Sequence, residues 1–226
     1  MARIRACLGS LDLGLGQQDL EPACRYSGYY SLDPGPAASY IGTIEVSRLR
    51  IAVQVMIPAQ PQATVYLIHG YLTHSALCFR HLVAYLLRAR IAVVMVDLPG
   101  HGLSEGTRGG IADFAVYAEV IKAVTRYCER ALGRPWHVVG HSTGCAAIIE
   151  FLAREATPFA KHILIAPLVH SVLWIPSRVG YALFGWTGLD LPRVFRQTFA
   201  CLPTRLPTWT TTSSRMADTI CSTKPR

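Results

Sequence analysis

The sequence predicts an α/β chain with a mostly parallel sheet covered by helices on both faces. Three observations carry that expectation. Short apolar runs recur at Ala63–His69, Ile91–Asp97, Trp136–His141 and His162–Ala166. Segments of helical period separate them at Ser75–Arg88, Ala112–Leu132 and from Thr143 to about Arg154. The runs are apolar throughout rather than alternating, the pattern of strands buried on both sides of a parallel sheet.

Residues 1–40 show Gly and Pro punctuation, including Asp33-Pro34-Gly35-Pro36, and little periodicity, which predicts an irregular N-terminal leader. Two antiparallel strands are expected next, at about Gly42–Ser47 and Arg50–Ile57, before a turn marked by Pro58 and Pro61. Gly133 is placed as a helix C-cap. The expected organisation is a leader at 1–40, an α/β core at 41–167, a partial cap at 168–200 and a poorly structured basic Ser/Thr-rich tail at 201–226.

Composition narrows the function classes. Hydrophobic residues make up 51% and charged residues 16%, enough apolar sequence for a substantial core. Of the net charge of +8, the stretch from Arg193 onward supplies +5, with six Lys/Arg and one acid. The basicity is thus partly a property of the tail and argues only weakly for a nucleic-acid or anionic-membrane surface, and no nucleic-acid partner is expected. Val172–Leu189 is broken by Pro176 and Arg178, so no stable membrane insertion is expected. Met1–Ser10 lacks the apolar stretch of a secretory signal. Seven cysteines without a C-x-x-C pair fit a reducing cytoplasm, with Cys78, Cys128 and Cys145 read as small buried hydrophobes. No metal cluster, phosphate-binding loop or dinucleotide fingerprint is present, so no cofactor is expected.

The chemistry concentrates at Gly140-His141-Ser142-Thr143-Gly144, a G-x-S-x-G pentapeptide between an apolar strand and an apolar helix. A nucleophilic hydroxyl at the carboxyl edge of a sheet needs a turn so tight that flanking side chains collide. Gly140 and Gly144 relieve that crowding. The following helix turns its N-terminal dipole and free N–H groups toward the reacting centre, and the Thr143 N–H is the natural first oxyanion donor. The competing role for Ser142 is a helix N-cap. A second donor is expected from the loop after an earlier strand, where His69-Gly70 leads to the backbone N–H of Tyr71. One such donor is worth roughly 2.7–4 kcal/mol in the transition state.

His69-Gly70, Asp97-Leu98-Pro99-Gly100-His101-Gly102-Leu103-Ser104 and the pentapeptide at 140–144, in that order, resemble the monoglyceride-lipase-like or serine-aminopeptidase group of α/β-hydrolases. Ser104–Phe114 resembles the loop and helix start of the same group, and the likeness covers roughly Tyr40 to Trp186. The resemblance implies hydrolysis of a carboxylic ester through an acyl-enzyme on Ser142, with acylglycerols or lysophospholipids as substrates and an amide alternative from the peptidase members. It makes the Asp97–His101 loop chiefly structural and His141 a packing residue. It also implies a cap, in which Trp174, Tyr181 and Phe184 line an acyl pocket or simply pack on the domain.

In that family's chain order an acid and then a histidine follow the serine. After Ser142 the only histidines are His162 and His170, and no histidine follows Asp190 or Asp218. The sequence is therefore expected to stop before the triad and the C-terminal strands, with an impaired or absent activity. The tail is expected to be foreign to the fold. His170 stands as a substitute base only in an unusual geometry. Beside the hydrolase stand a non-catalytic ligand-binding protein of the same fold and a basic interaction protein. Oligomeric state is not assigned by the sequence.

Overall fold

In the computed structural model, which describes residues 2–13, 21–110 and 113–168, the apolar runs become strands and the periodic segments become helices. In chain order the elements are α1 (Ala2–Cys7), α2 (Glu21–Tyr30), β1 (Ala38–Val46), β2 (Leu49–Ile57), β3 (Ala63–Ile68), α3 (Ser75–Arg88), β4 (Ile91–Val96), α4 (Ala115–Cys128), β5 (Trp136–His141), α5 (Thr143–Arg154) and β6 (Lys161–Ile165).

The strands form one sheet in the order β1-β2-β4-β3-β5-β6. The β1–β2 and β2–β4 pairs are antiparallel, whereas β3–β4, β3–β5 and β5–β6 are parallel. Ser47 and Arg48 both take positive φ, 51° and 63°, between β1 and β2. Two left-handed residues give a hairpin turn whose twist matches the flanking strands.

Strand alternation divides the core in two. On β4, Ala92, Val94 and Val96 join α4 and α5 through Val120, Ile121, Val124 and Ile148. Val93 and Met95 face the opposite side, toward Phe79, Val83 and Leu86 of α3. Both faces of the central strands are thus covered, as their unbroken apolar runs predict. A fully buried side chain of this kind contributes roughly 1.5–3 kcal/mol through its removal from water.

The leader departs from expectation. Residues 1–40 are not irregular throughout, because α1, α2 and the start of β1 lie within them. Their apolar residues belong to the core: Leu8, Leu11, Tyr26 and Leu32 are buried. Leu11 donates its N–H to the Thr43 carbonyl at 2.9 Å, and Thr43 returns its N–H to Gly9 at 2.9 Å, which ties the leader to β1. The helices escaped a periodicity argument because α1 is six residues long and α2 contains Gly28 in a ten-residue span. Helix α4 is also shorter than expected. It stops at Cys128, and Ala131 and Leu132 fold back with their N–H groups on the Cys128 carbonyl, so the chain leaves the helix before Gly133.

The expected cap at 168–200 and tail at 201–226 lie outside the described residues, save Leu168 itself, as do Trp174, Tyr181, Phe184 and His170. Among the described residues no helix is long and apolar enough to cross a membrane.

Candidate active site

Strand β5 runs to His141, and α5 begins at Thr143, so one residue makes the whole reversal. Ser142 makes it at φ 52° and ψ −112°, outside the ordinary wells for a residue with a β-carbon. Its neighbours show why the bend needs glycine on either side. A β-carbon on Gly144 would stand 2.2 Å from the Ile68 carbonyl oxygen, and one on Gly140 would stand 2.6 Å from Ile148 Cδ1.

The strain is held from outside the turn. The Ser142 N–H donates to the Ile165 carbonyl at 3.0 Å, and the Ser142 carbonyl accepts the Cys145 N–H at 3.0 Å. Cys145 is buried, and its thiol donates to the Gly140 carbonyl at 3.1 Å; burial raises its pKa above the ordinary thiol value. The Ser142 side chain makes no capping hydrogen bond to α5, although it occupies the N-cap position. That removes the helix-cap role. The residue is half-buried rather than sealed in the core.

The loop after β3 lies directly against this bend. A β-carbon on Gly70 would fall 3.0 Å from His141 Nδ1 and 3.1 Å from the Ser142 β-carbon. Only a glycine lets the loop approach so closely. The Tyr71 and Thr143 N–H groups donate to no backbone group among the described residues. Thr143 is one of the first residues of α5, where N–H groups lack helical partners.

His69 does not face the bend as a reactive group. It is fully buried, accepts the Leu98 N–H at Nε2 (2.9 Å) and sits with Nδ1 2.6 Å from the Gly70 carbonyl. Burial pulls its pKa down to about 4 against the opposing pull of Asp97, so the ring is neutral at pH 7. It joins the loop after β3 to the loop after β4.

Asp97 is likewise structural. Its Oδ1 accepts the Ser75 N–H (2.9 Å) and hydroxyl (2.7 Å), and its Oδ2 accepts the Leu103 N–H at 2.9 Å. A carboxylate at the N-terminus of α3 meets both unpaired donors and the helix dipole. Gly102 allows that approach, since a β-carbon there would lie 2.0 Å from Oδ2. His101 lies tilted against His69 with ring centroids 5.2 Å apart and bonds the Pro99 carbonyl through Nδ1. Asp97 and His101 thus serve the loop, each bonded to its backbone or to the start of α3 rather than to the other.

Sequence reasoning missed the contribution of α2. Tyr26 is buried with its hydroxyl beside Ser75 and Ala76 at the start of α3, and burial drives its pKa far upward. Tyr30 meets His74, the residue before α3, with ring centroids 4.4 Å apart. The leader thus braces the loop that carries Gly70 and Tyr71. Two tyrosines four residues apart, the spacing of one helix face, were the available signal.

Among the described residues, no group of three or more His, Cys, Asp or Glu side chains is placed to hold a metal ion. His162 is engaged with Thr157, 2.8 Å from its hydroxyl. No described acid or imidazole is hydrogen-bonded to the Ser142 hydroxyl.

The family model described as serine aminopeptidase, S33, matches residues 59–223. The chain belongs to this family. The S33 match takes in β3 to β6 and continues through most of the segment for which a sequence foreign to the fold was expected. Monoglyceride lipase of Homo sapiens is 34% identical over 110 residues, covering 48% of this chain and 36% of that relative. Monoacylglycerol lipase of Mycolicibacterium smegmatis is 27% identical over 128 residues, covering 56% and 45%. Phospholipase YtpA of Bacillus subtilis is 28% identical over 107 residues, covering 47% and 40%. The aligned stretches of this chain thus span less than half the length of these curated relatives.

Solved structures agree on the fold. The α/β hydrolase GrgF from Penicillium superposes with a TM-score of 0.56 at 18% identity, over 68% of this chain and 53% of its own. A membrane phospholipase A, described as a bacterial virulence factor, gives 0.54 at 20% identity over 80% and 63%. The S33 chain is therefore an α/β-hydrolase with a mostly parallel sheet.

Proposed function

We propose that this chain carries the nucleophile and oxyanion half of a serine hydrolase acting on carboxylic esters, with monoacylglycerol- or lysophospholipid-like substrates. The observation that carries this reading is the conformation of Ser142. A non-glycine residue at φ 52°, held between two obligatory glycines with its hydroxyl unused by the helix it precedes, is strain without a folding return. The names of the relatives, lipases and a phospholipase, support an ester as substrate.

In this mechanism the Ser142 hydroxyl attacks the ester carbonyl, forming a C–O bond while its proton passes to a base. The carbonyl oxygen gains the negative charge, and the N–H groups of Tyr71 and Thr143 receive it. Collapse breaks the ester C–O bond and expels the alcohol, which takes the proton back from the base. Water then gives a proton to the same base, attacks the acyl-enzyme and releases the acid as Ser142 is reprotonated. Fixed amides at a helix N-terminus suit the oxyanion because they need no reorganisation as charge develops. The base and its acid are assigned to no described residue.

The test is hydrolysis of short- and long-chain p-nitrophenyl esters and matching anilides by the full chain and by Ser142→Ala. Ester turnover that is lost in Ser142→Ala supports the proposal, and turnover of anilides alone moves it to an aminopeptidase-type reaction. A second reading, a ligand-binding protein on the same fold, draws on the Ser142 hydroxyl having no described proton acceptor. Binding of a monoacylglycerol without turnover favours it.

A further inference from the structure

We propose that the outer face of α3, with the adjoining Leu72 and Tyr29, docks on an anionic lipid surface. Helix α3 buries Ala76, Phe79, Val83, Leu86 and Leu87 against the sheet. Its other side presents Leu77, Arg80, His81, Tyr85 and Arg88, all exposed; the spacings 77/81, 81/85 and 85/88 place four of them in one row, with Arg80 at its edge.

The patch continues past the N-terminal end of the helix. Leu72 is 76% exposed and takes a left-handed φ of 55°. A leucine is among the poorer residues for that conformation, and here the strain holds an apolar side chain out in water. Tyr29, 68% exposed, packs edge-on against Tyr30, which in turn meets His74 before the helix. Leu72 follows Gly70 and Tyr71, so the apolar end of the patch adjoins the Ser142 bend, and the cationic end lies at Arg88 and Arg90.

Charge selects the partner. Between Glu45 and Asp97 the sequence contains no acid, whereas Arg80, Arg88 and Arg90 are exposed on or just beyond α3. A second copy of the same face would bring arginines against arginines. A nucleic-acid backbone would engage the arginines and leave Leu72 and Leu77 in water. An anionic bilayer takes both, with leucine and tyrosine at the acyl boundary and guanidinium groups at the phosphates. That this surface would deliver substrate to Ser142 rests on the proposed hydrolase function. The docking itself does not.

The experiment is therefore read without catalysis, on the full chain carrying Ser142→Ala. Co-flotation is measured with vesicles of equal parts phosphatidylcholine and phosphatidylserine, and with phosphatidylcholine alone. Binding to the mixed vesicles is expected, falling roughly fivefold for each of Arg80→Gln and Arg88→Gln. Leu72→Asn and Leu77→Ser are each expected to weaken it by roughly tenfold. Asn suits the left-handed backbone at 72, and all four positions are exposed, so circular dichroism melting should be unchanged. Absence of binding to mixed vesicles overturns the proposal. So does binding that ignores Leu72→Asn and Leu77→Ser, which assigns the contact to the basic segment after Arg193.

Discussion

The Leu98 N–H donates to His69 Nε2 at 2.9 Å, which fixes where the proton of this buried imidazole must be. A nitrogen that accepts from an amide carries no hydrogen, so the neutral ring holds its proton on Nδ1 and donates it to the Gly70 carbonyl 2.6 Å away. One side chain thereby welds the loop that approaches Ser142 to the loop that follows β4. The weld holds only while the ring is neutral.

A pH dependence follows. The folded pKa of about 4 lies below the ordinary histidine value, so the unfolded chain binds the proton more readily. His69 then contributes stability that is complete above about pH 6.5 and is lost as pH falls toward 4. Urea denaturation between pH 7 and pH 4 should show that loss. His69→Gln should be less stable at pH 7 and have a shallower slope over the same window. An unchanged slope would remove His69 as the titrating group.

Asp97→Asn should destabilise the fold by about 2–4 kcal/mol, because one amide cannot accept all three hydrogen bonds that the carboxylate receives from Ser75 and Leu103. The measurement is the urea midpoint. Reagent labelling of the folded fraction at Ser142 should persist, since Asp97 serves the α3 terminus rather than the hydroxyl.

Gly70→Ala separates site geometry from stability. The added carbon would press on His141 Nδ1 and the Ser142 β-carbon at 3.0 and 3.1 Å, distances a small loop shift relieves. Melting should change little. Ester turnover should fall by roughly 10- to 100-fold, the scale set by an ångström of misplacement at a reacting centre. Gly144→Ala should behave in the opposite way. Its β-carbon meets the Ile68 backbone oxygen at 2.2 Å, which no side-chain motion relieves, so the fold itself should lose roughly 3 kcal/mol or more by urea denaturation.

These contrasts show which parts of the molecule were legible as sequence. Val93–Val96 and Val138–Val139 announce buried strands because both faces of the sheet are covered, and no polar alternation interrupts them. The bend at Ser142 was legible because its G-x-S-x-G pattern fits within five consecutive residues, although the Ile68 backbone that crowds Gly144 is brought there only by folding. The role of the His69 ring was not, since its partner Leu98 is 29 residues away and only folding brings them together. The same holds for the Ser142 tie to Ile165. Helix α2 escaped notice because Tyr26 and Tyr30 make only one helix-spaced pair, and their partners in α3 and its preceding loop are more than forty residues away in the chain.

The central claim is that Ser142 is a presented nucleophile rather than a turn residue. Its most direct test is reaction of the full chain with a fluorophosphonate, followed by peptide mapping. A single phosphonyl adduct on Ser142, absent from Ser142→Ala and from heat-unfolded chain, is the predicted result. No adduct on the folded chain, or one that forms equally after unfolding, contradicts it.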